Sequence, residues 1–101
     1  MPEPHNRARG EVILEIDAHP VRLCLTLGAL AELEAAFDVI SLAELAERLA
    51  HLTAADIIVV LAALTKGGGD AISATDLATA RIDPRSAAAA VADAFRLALD
   101  A

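Results

Sequence analysis

Cys24 is the only cysteine of the chain and the first residue to weigh for chemistry. A nucleophilic thiolate needs a base beside it and an electropositive setting. Cys24 sits in an alternating apolar segment, and the nearest histidine, His19, lies across a turn, so a structural cysteine is expected. His5, His19 and His51 are 14 and 32 residues apart, and no pair has the helical spacing of three or four that sets two imidazoles on one metal. Lys66-Gly67-Gly68-Gly69-Asp70 has the glycines of a phosphate loop but not its order. A phosphate-binding loop puts lysine after the last glycine, follows it with Ser or Thr, and opens a helix. Here the lysine comes first and the glycines close a helix, so a helix stop with a flexible hinge is expected. Glu32 and Glu34 point to different sides of a helix. Glu44 and Glu47 share a face, but with Arg48 and without an apolar pocket to raise a pKa. A solvated acidic face is expected, not a catalytic pair. These residues predict no enzyme, no cofactor, no metal and no small-molecule substrate.

Composition narrows the remaining classes. The chain has 101 residues and a formal net charge of -7, with 56% apolar residues. Ala and Leu supply 25 and 15 positions, and both favour helix. The length suits one domain. The acidic balance argues against nucleic acid, which needs clustered Lys and Arg, and Phe37 and Phe95 are the only aromatic side chains available to stack on bases. A lone cysteine makes no internal disulfide. Residues 1–10 carry Pro2, Pro4, Arg7 and Arg9 without an apolar run, so no secretory signal is read there and a disordered arm is expected. The longest apolar run, Ile57–Leu64, is far shorter than the roughly 20 residues of a membrane span. A cytoplasmic protein is expected.

The elements that position these residues follow from periodicity. Residues 11–27 alternate with a period of two: Val12, Leu14 and Ile16 on one face, then Val21, Leu23, Leu25 and Leu27 on another, with Asp17-Ala18-His19-Pro20 as turn chemistry between them. A β-hairpin with one apolar face is predicted, and it must be covered, because a lone hairpin is marginal in water. From Gly28 the period becomes helical, with Leu30, Leu33 and Phe37 in a stripe. Ser41-Leu42-Ala43-Glu44 reads as a capping box, with Ile40 and Leu45 spaced as a hydrophobic staple. Thr53-Ala54-Ala55-Asp56 and Ser73-Ala74-Thr75-Asp76 are expected to be weaker boxes, because aspartate is shorter than glutamate. Asp83-Pro84 is an N-cap followed by proline at the first helical position. The predicted fold is α+β, mostly α. It has a disordered arm over 1–10 and a single domain over 11–101, made of a hairpin over 11–27 and helices near 28–38, 42–51, 54–66, 74–81 and 84–99, packed as a small bundle. The third helix is apolar nearly all round, as a central helix would be; its β-branched run also suits a strand, but the cap and flanking alanines favour helix. The fifth is expected to bury Ala88, Val91, Phe95 and Ala98. Six acids against Arg48 alone over residues 27–64 predict an acidic face on the middle helices.

The run Arg22-Leu23-Cys24-Leu25-Thr26-Leu27-Gly28-Ala29-Leu30-Ala31-Glu32-Leu33-Glu34-Ala35-Ala36-Phe37, preceded by Arg9-Gly10-Glu11, resembles the small gene transfer agent proteins related to phage tail assembly chaperones. The likeness covers most of residues 9–82 and is sharpest over 22–37; the alanine-rich end from Ala87 to Ala101 matches only in character. The family is described both as a tail chaperone and as a tail tube component. The resemblance implies a tail assembly chaperone that holds the helical tape-measure protein soluble, with a structural tail subunit retained in the particle as the alternative. It implies tail proteins as partners, with self-association open, and supplies no catalytic residues. Its signature positions are Leu25, Thr26, Leu27, Gly28, Leu30, Leu33 and Phe37. Their expected role is mainly structural: Gly28 turns the strand tightly into the helix, and Thr26 caps that helix. A generic helical adaptor or antitoxin is a weaker fit, since that class usually carries a basic part.

Overall fold

The computed structural model of the protein describes residues 10–99, so the arm expected to be disordered lies, but for Gly10, outside the described residues. Two strands, β1 (Glu11–Ile16) and β2 (His19–Cys24), precede five helices: α1 (Leu27–Ala36), α2 (Leu42–Leu49), α3 (Ala54–Gly67), α4 (Ala74–Thr79) and α5 (Pro84–Leu99). The architecture is the predicted hairpin followed by helices. The helix ends fall within about two residues of expectation, the ordinary scatter of frayed termini.

β1 and β2 pair antiparallel, with Ile16 opposite His19 and Val12 opposite Leu23. The two-residue turn holds Asp17 at φ 53° and Ala18 at φ 67°. Positive φ at both central residues makes it a type I′ turn, whose twist matches that of the strands. The turn is tied down from outside: Asp17 N–H donates to the Arg81 carbonyl at 3.0 Å, and Arg81 N–H donates to Asp17 Oδ1 at 2.7 Å. Val12, Leu14, Ile16, Val21 and Leu23 turn to one face and are buried there. Leu25 is buried just beyond β2. Leu27, expected on the same face, is 81% exposed because it is already the first residue of α1 and follows helical geometry.

α3 is the central helix, packed against β2, α1, α4 and α5, and α5 lies against β1. One hydrophobic cluster draws on every element, with Leu23, Leu33, Leu45, Leu61 and Leu64 fully buried. α5 buries Val91 and Phe95 as expected, together with Ala87, Ala90 and Ala94, whereas Ala88 is exposed and Ala98 half-buried. Alanine along that stripe lets the helix backbone approach the sheet closely.

The complete capping box forms at Thr53 and not at Ser41, while Ser73 is the weaker cap expected. Thr53 accepts from Asp56 N–H while Asp56 Oδ2 accepts from Thr53 N–H, both at 3.1 Å, a complete capping box. Ser41 accepts from Glu44 N–H and Ser73 from Asp76 N–H, each at 3.1 Å, as single caps. The predicted staple does not form, because Ile40 is 91% exposed. Asp83 caps α5, accepting from Ser86 N–H and Ser86 Oγ.

The triple glycine is not a hinge. Gly67 and Gly68 lie directly on the backbone of β2, where a Cβ would strike the Cys24 and Arg22 carbonyl groups. Gly68 is buried, and Gly69 turns the chain at φ 94°. Asp70 then accepts from Arg22 N–H at 3.4 Å and pairs with its guanidinium at 3.5 Å. The glycines are there because two backbones meet.

Candidate functional site

Thr26, as expected, caps α1, accepting from Ala29 N–H at 3.1 Å. Leu25 and Leu33 are core, and Leu30 and Phe37 are half-buried against it. Gly28 does not turn the strand into the helix. That turn is made at Leu25 and Thr26, and Gly28 is an ordinary helical residue whose added Cβ would meet only Thr26 Oγ1 at 3.8 Å. The signature segment is a strand, a cap and a core stripe, and only Leu27 offers a large apolar side chain to solvent.

The polar candidates are dispersed. Cys24 ends β2 half-buried, His19 opens β2 exposed, His51 is exposed beyond α2, and His5 lies outside the described residues. Among the described residues no group of His, Cys, Asp or Glu is arranged to hold a metal ion. The acidic face is only partly free. Asp56 is buried, pairs with Arg48 at 3.1 Å, and closes its capping box. Hydrogen bonding from the Thr53 backbone, with help from the Thr53 hydroxyl and Arg48, holds its carboxyl below the usual range despite burial. Arg48 also lies over the Phe37 ring, 5.0 Å from its centroid, so one guanidinium links α1, α2 and α3. Glu32 pairs with Lys66 at 3.2 Å across α1 and α3. Glu44 and Glu47 form no ion pair among the described residues and keep the outer side of α2 acidic.

Three surface features remain for contact with other molecules. The first is an apolar trough between α2 and α5, formed by two adjoining recesses of about 400 and 180 Å³ that share Ala46, Leu49 and Phe95. Leu42 and Leu99, each about half exposed, stand at one end of it. Leu42, Leu45, Ala46 and Leu49 repeat at three and four residues on α2, as do Ala88, Val91, Ala92 and Phe95 on α5. The stripe on α2 was legible in the sequence; the gap beside it was not, because small alanines signal close packing as readily as a recess. The second feature is a recess of about 490 Å³ among α1, α3 and the loop before α4, with Glu32 and Lys66 at its rim.

The third is the outer edge of β1. In a two-residue hairpin the pair flanking the turn exchanges hydrogen bonds and the pairs then alternate. Ile16–His19, Leu14–Val21 and Val12–Leu23 are therefore the bonded pairs, and the backbone groups of Ile13 and Glu15 point outward. On the opposite edge the outward N–H of Arg22 meets Asp70 and its carbonyl meets Gly68, so that edge is covered. Pro20 fits the same alternation, since the N–H it lacks would have faced outward. Among the described residues no hydrogen bond reaches Ile13 or Glu15 from outside the hairpin.

A hairpin roofed by helices, with an apolar trough between two of them, is the scaffold of a small α+β module. The chain belongs to the family described as phage tail tube protein, GTA-gp10, which matches over residues 9–101. It is thus a member of a gene transfer agent tail protein family, and membership implies contact with other tail proteins. No curated protein and no solved structure matches the chain. No helix among the described residues is long and apolar enough to cross a membrane.

Proposed function

We propose that the protein is a structural, non-catalytic subunit of a phage-like tail, retained in the finished particle and assembled in the cytoplasm of the producing cell. The observation that carries this reading is the family match, which takes in all the described elements and whose description is a tail tube protein. Two surface features support it. Among the described residues nothing bonds to the outward backbone of Ile13 and Glu15 on β1, which offers main-chain hydrogen bonds to a neighbouring strand. The α2–α5 trough offers apolar area to a neighbouring helix.

The trough also supports a second reading, the assembly chaperone. On α5 it runs from Ala88 to Leu99, about 16 Å at 1.5 Å per residue, which is the length of three helical turns of a bound segment. A tape-measure protein is long and helical and would supply such segments. Quantitative mass spectrometry of purified particles separates the two. Many copies per tail support the subunit. Absence from particles, with a soluble complex formed on co-expression with the tape-measure protein, replaces the subunit with the chaperone.

A further inference from the structure

We infer that the trough between α2 and α5 receives the outer face of α1 from a second copy of this chain. The inference rests on the tail-subunit reading and deepens it by naming the partner and both contacting faces.

The guest face is an apolar stripe on α1. Leu27, Ala31 and Ala35 recur every four residues and are all exposed, Leu27 by 81%. Residues four apart lie one above the other on a helix, so the three share a face, opposite buried Ala29 and Leu33. The domain's own core makes no use of that face. α1 has ten residues and is about 15 Å long, which matches the length of the trough.

Size sets the direction in which α1 lies. α2 and α5 run antiparallel beside the trough, since Ala50 shares one recess with Ala88 and Leu42 shares the other with Leu99. The recess at the Ala50–Ala88 end is the larger, about 400 Å³, and its exposed walls are alanine. At the opposite end Leu42 and Leu99 stand half exposed. A guest must be bulky at the first end and small at the second. α1 laid parallel to α5, with Leu27 beside Ala88, fulfils this: Ala31 comes beside Ala92, and Ala35 reaches the leucine end.

Charge sets the same direction. Arg96 lies one turn beyond Ala92 on the outward side of α5, and Glu47 lies on the outward side of α2. A right-handed helix running parallel to α5 turns Glu34 toward α5, and turns Glu32 with its partner Lys66 toward α2. In this register Glu34 is level with Arg96, and Lys66 is level with Glu47, so both flanks meet opposite charge. Glu34 and Glu47 form no ion pair among the described residues and are available for these contacts. Turned end for end, α1 would set Glu34 against Glu47 and Leu27 against Leu42 and Leu99. The guest face and the trough are different parts of one surface, so the contact is heterologous and propagates into rings or filaments.

Complementation between two blocked variants of the full-length protein tests this. Leu27→Asp spoils the guest face and leaves the trough intact; Ala92→Glu spoils the trough and leaves the guest face intact. Both positions are exposed, so both variants are expected to melt as the wild type does. In sedimentation velocity the wild type is expected to form oligomers that grow with concentration, and each variant to associate at least about tenfold more weakly, as the loss of one buried leucine contact requires. An equimolar mixture is expected to form a dimer and nothing larger, because it holds one intact face of each kind. A wild type that stays monomeric to about 1 mM overturns the inference. So does association that either variant leaves unchanged, or a mixture without the dimer. Particle composition is read separately: if the complementation fails while many copies are still counted per tail, the α1 contact falls and the tail-subunit reading stands.

Discussion

Gly68→Ala separates a reading by propensity from a reading by packing. Gly68 follows α3 at φ −80°, a backbone that alanine adopts without strain. Propensity alone predicts a gain, because alanine reduces the entropy of the unfolded chain by about 0.4–1 kcal/mol. The structure predicts a loss. The new Cβ would lie 2.6 Å from the Arg22 carbonyl carbon and 3.2 Å from Arg22 Cβ, with the carbonyl oxygen closer still. Ordinary contact begins at 3.4 Å, so α3 and β2 must separate by about 1 Å at a point where both are backbone. Overpacking of this kind costs about 1–3 kcal/mol, and the separation also loosens the Arg22–Asp70 pair. A net loss of about 2 kcal/mol lowers Tm by roughly 8–16 °C for a domain of this size. Gly67→Ala meets the Cys24 carbonyl carbon and Thr26 Oγ1 at 3.2 and 3.3 Å and is expected to behave alike. Gly28→Ala is the control. It meets only one hydroxyl at 3.8 Å inside α1 and is expected to stabilise by about 0.5–1 kcal/mol. Urea titration with constant m-value reads all three. Gly67→Ala and Gly68→Ala variants as stable as Gly28→Ala would refute the close approach of α3 to β2.

Three further outcomes follow from the same structure. Leu33 is 0% exposed, and Leu33→Asp removes a core side chain and buries a charge, a loss of several kcal/mol or more that exceeds or nearly exhausts the stability of a domain this small; circular dichroism is expected to show no cooperative melt. Ala18→Gly relieves a non-glycine residue held at φ 67° and is expected to raise stability by about 0.5 kcal/mol, checked by urea midpoint. Asp56 and Asp83 are held below the ordinary aspartate range, chiefly by hydrogen bonds from Thr53 and Ser86 respectively. Their folded-state pKa is the lower one, so they stabilise the fold above the unfolded value of about 3.9 and lose that contribution as pH falls through the folded value. Tm is expected to hold from neutral pH to about 5 and fall below about 4. The fall should be shallower in Asp56→Asn/Asp83→Asn.

The linear chain carries the signals that are local. Alternation over Val12–Ile16 and Val21–Leu23 specifies a hairpin, because side chains switch faces at every residue. Ser41, Thr53, Ser73 and Asp83 announce helix starts, because a cap needs only residues within one turn. The stripe through Leu33, the cap at Thr26 and the family likeness around residues 22–37 are equally local. What tertiary structure alone decides is what meets what. Gly67 and Gly68 look like a hinge until β2 is placed against them. Leu27 and Ile40 look like core until their helices are oriented, and Ala88 looks buried until α5 is rotated onto the sheet. Asp56 looks like part of an acidic face until Arg48, eight residues earlier, folds onto it. The covered edge of β2 and the trough beside α2 exist only because distant segments meet one side of an element and leave another. Periodicity fixes which residues share a face, but long-range packing fixes whether that face is filled.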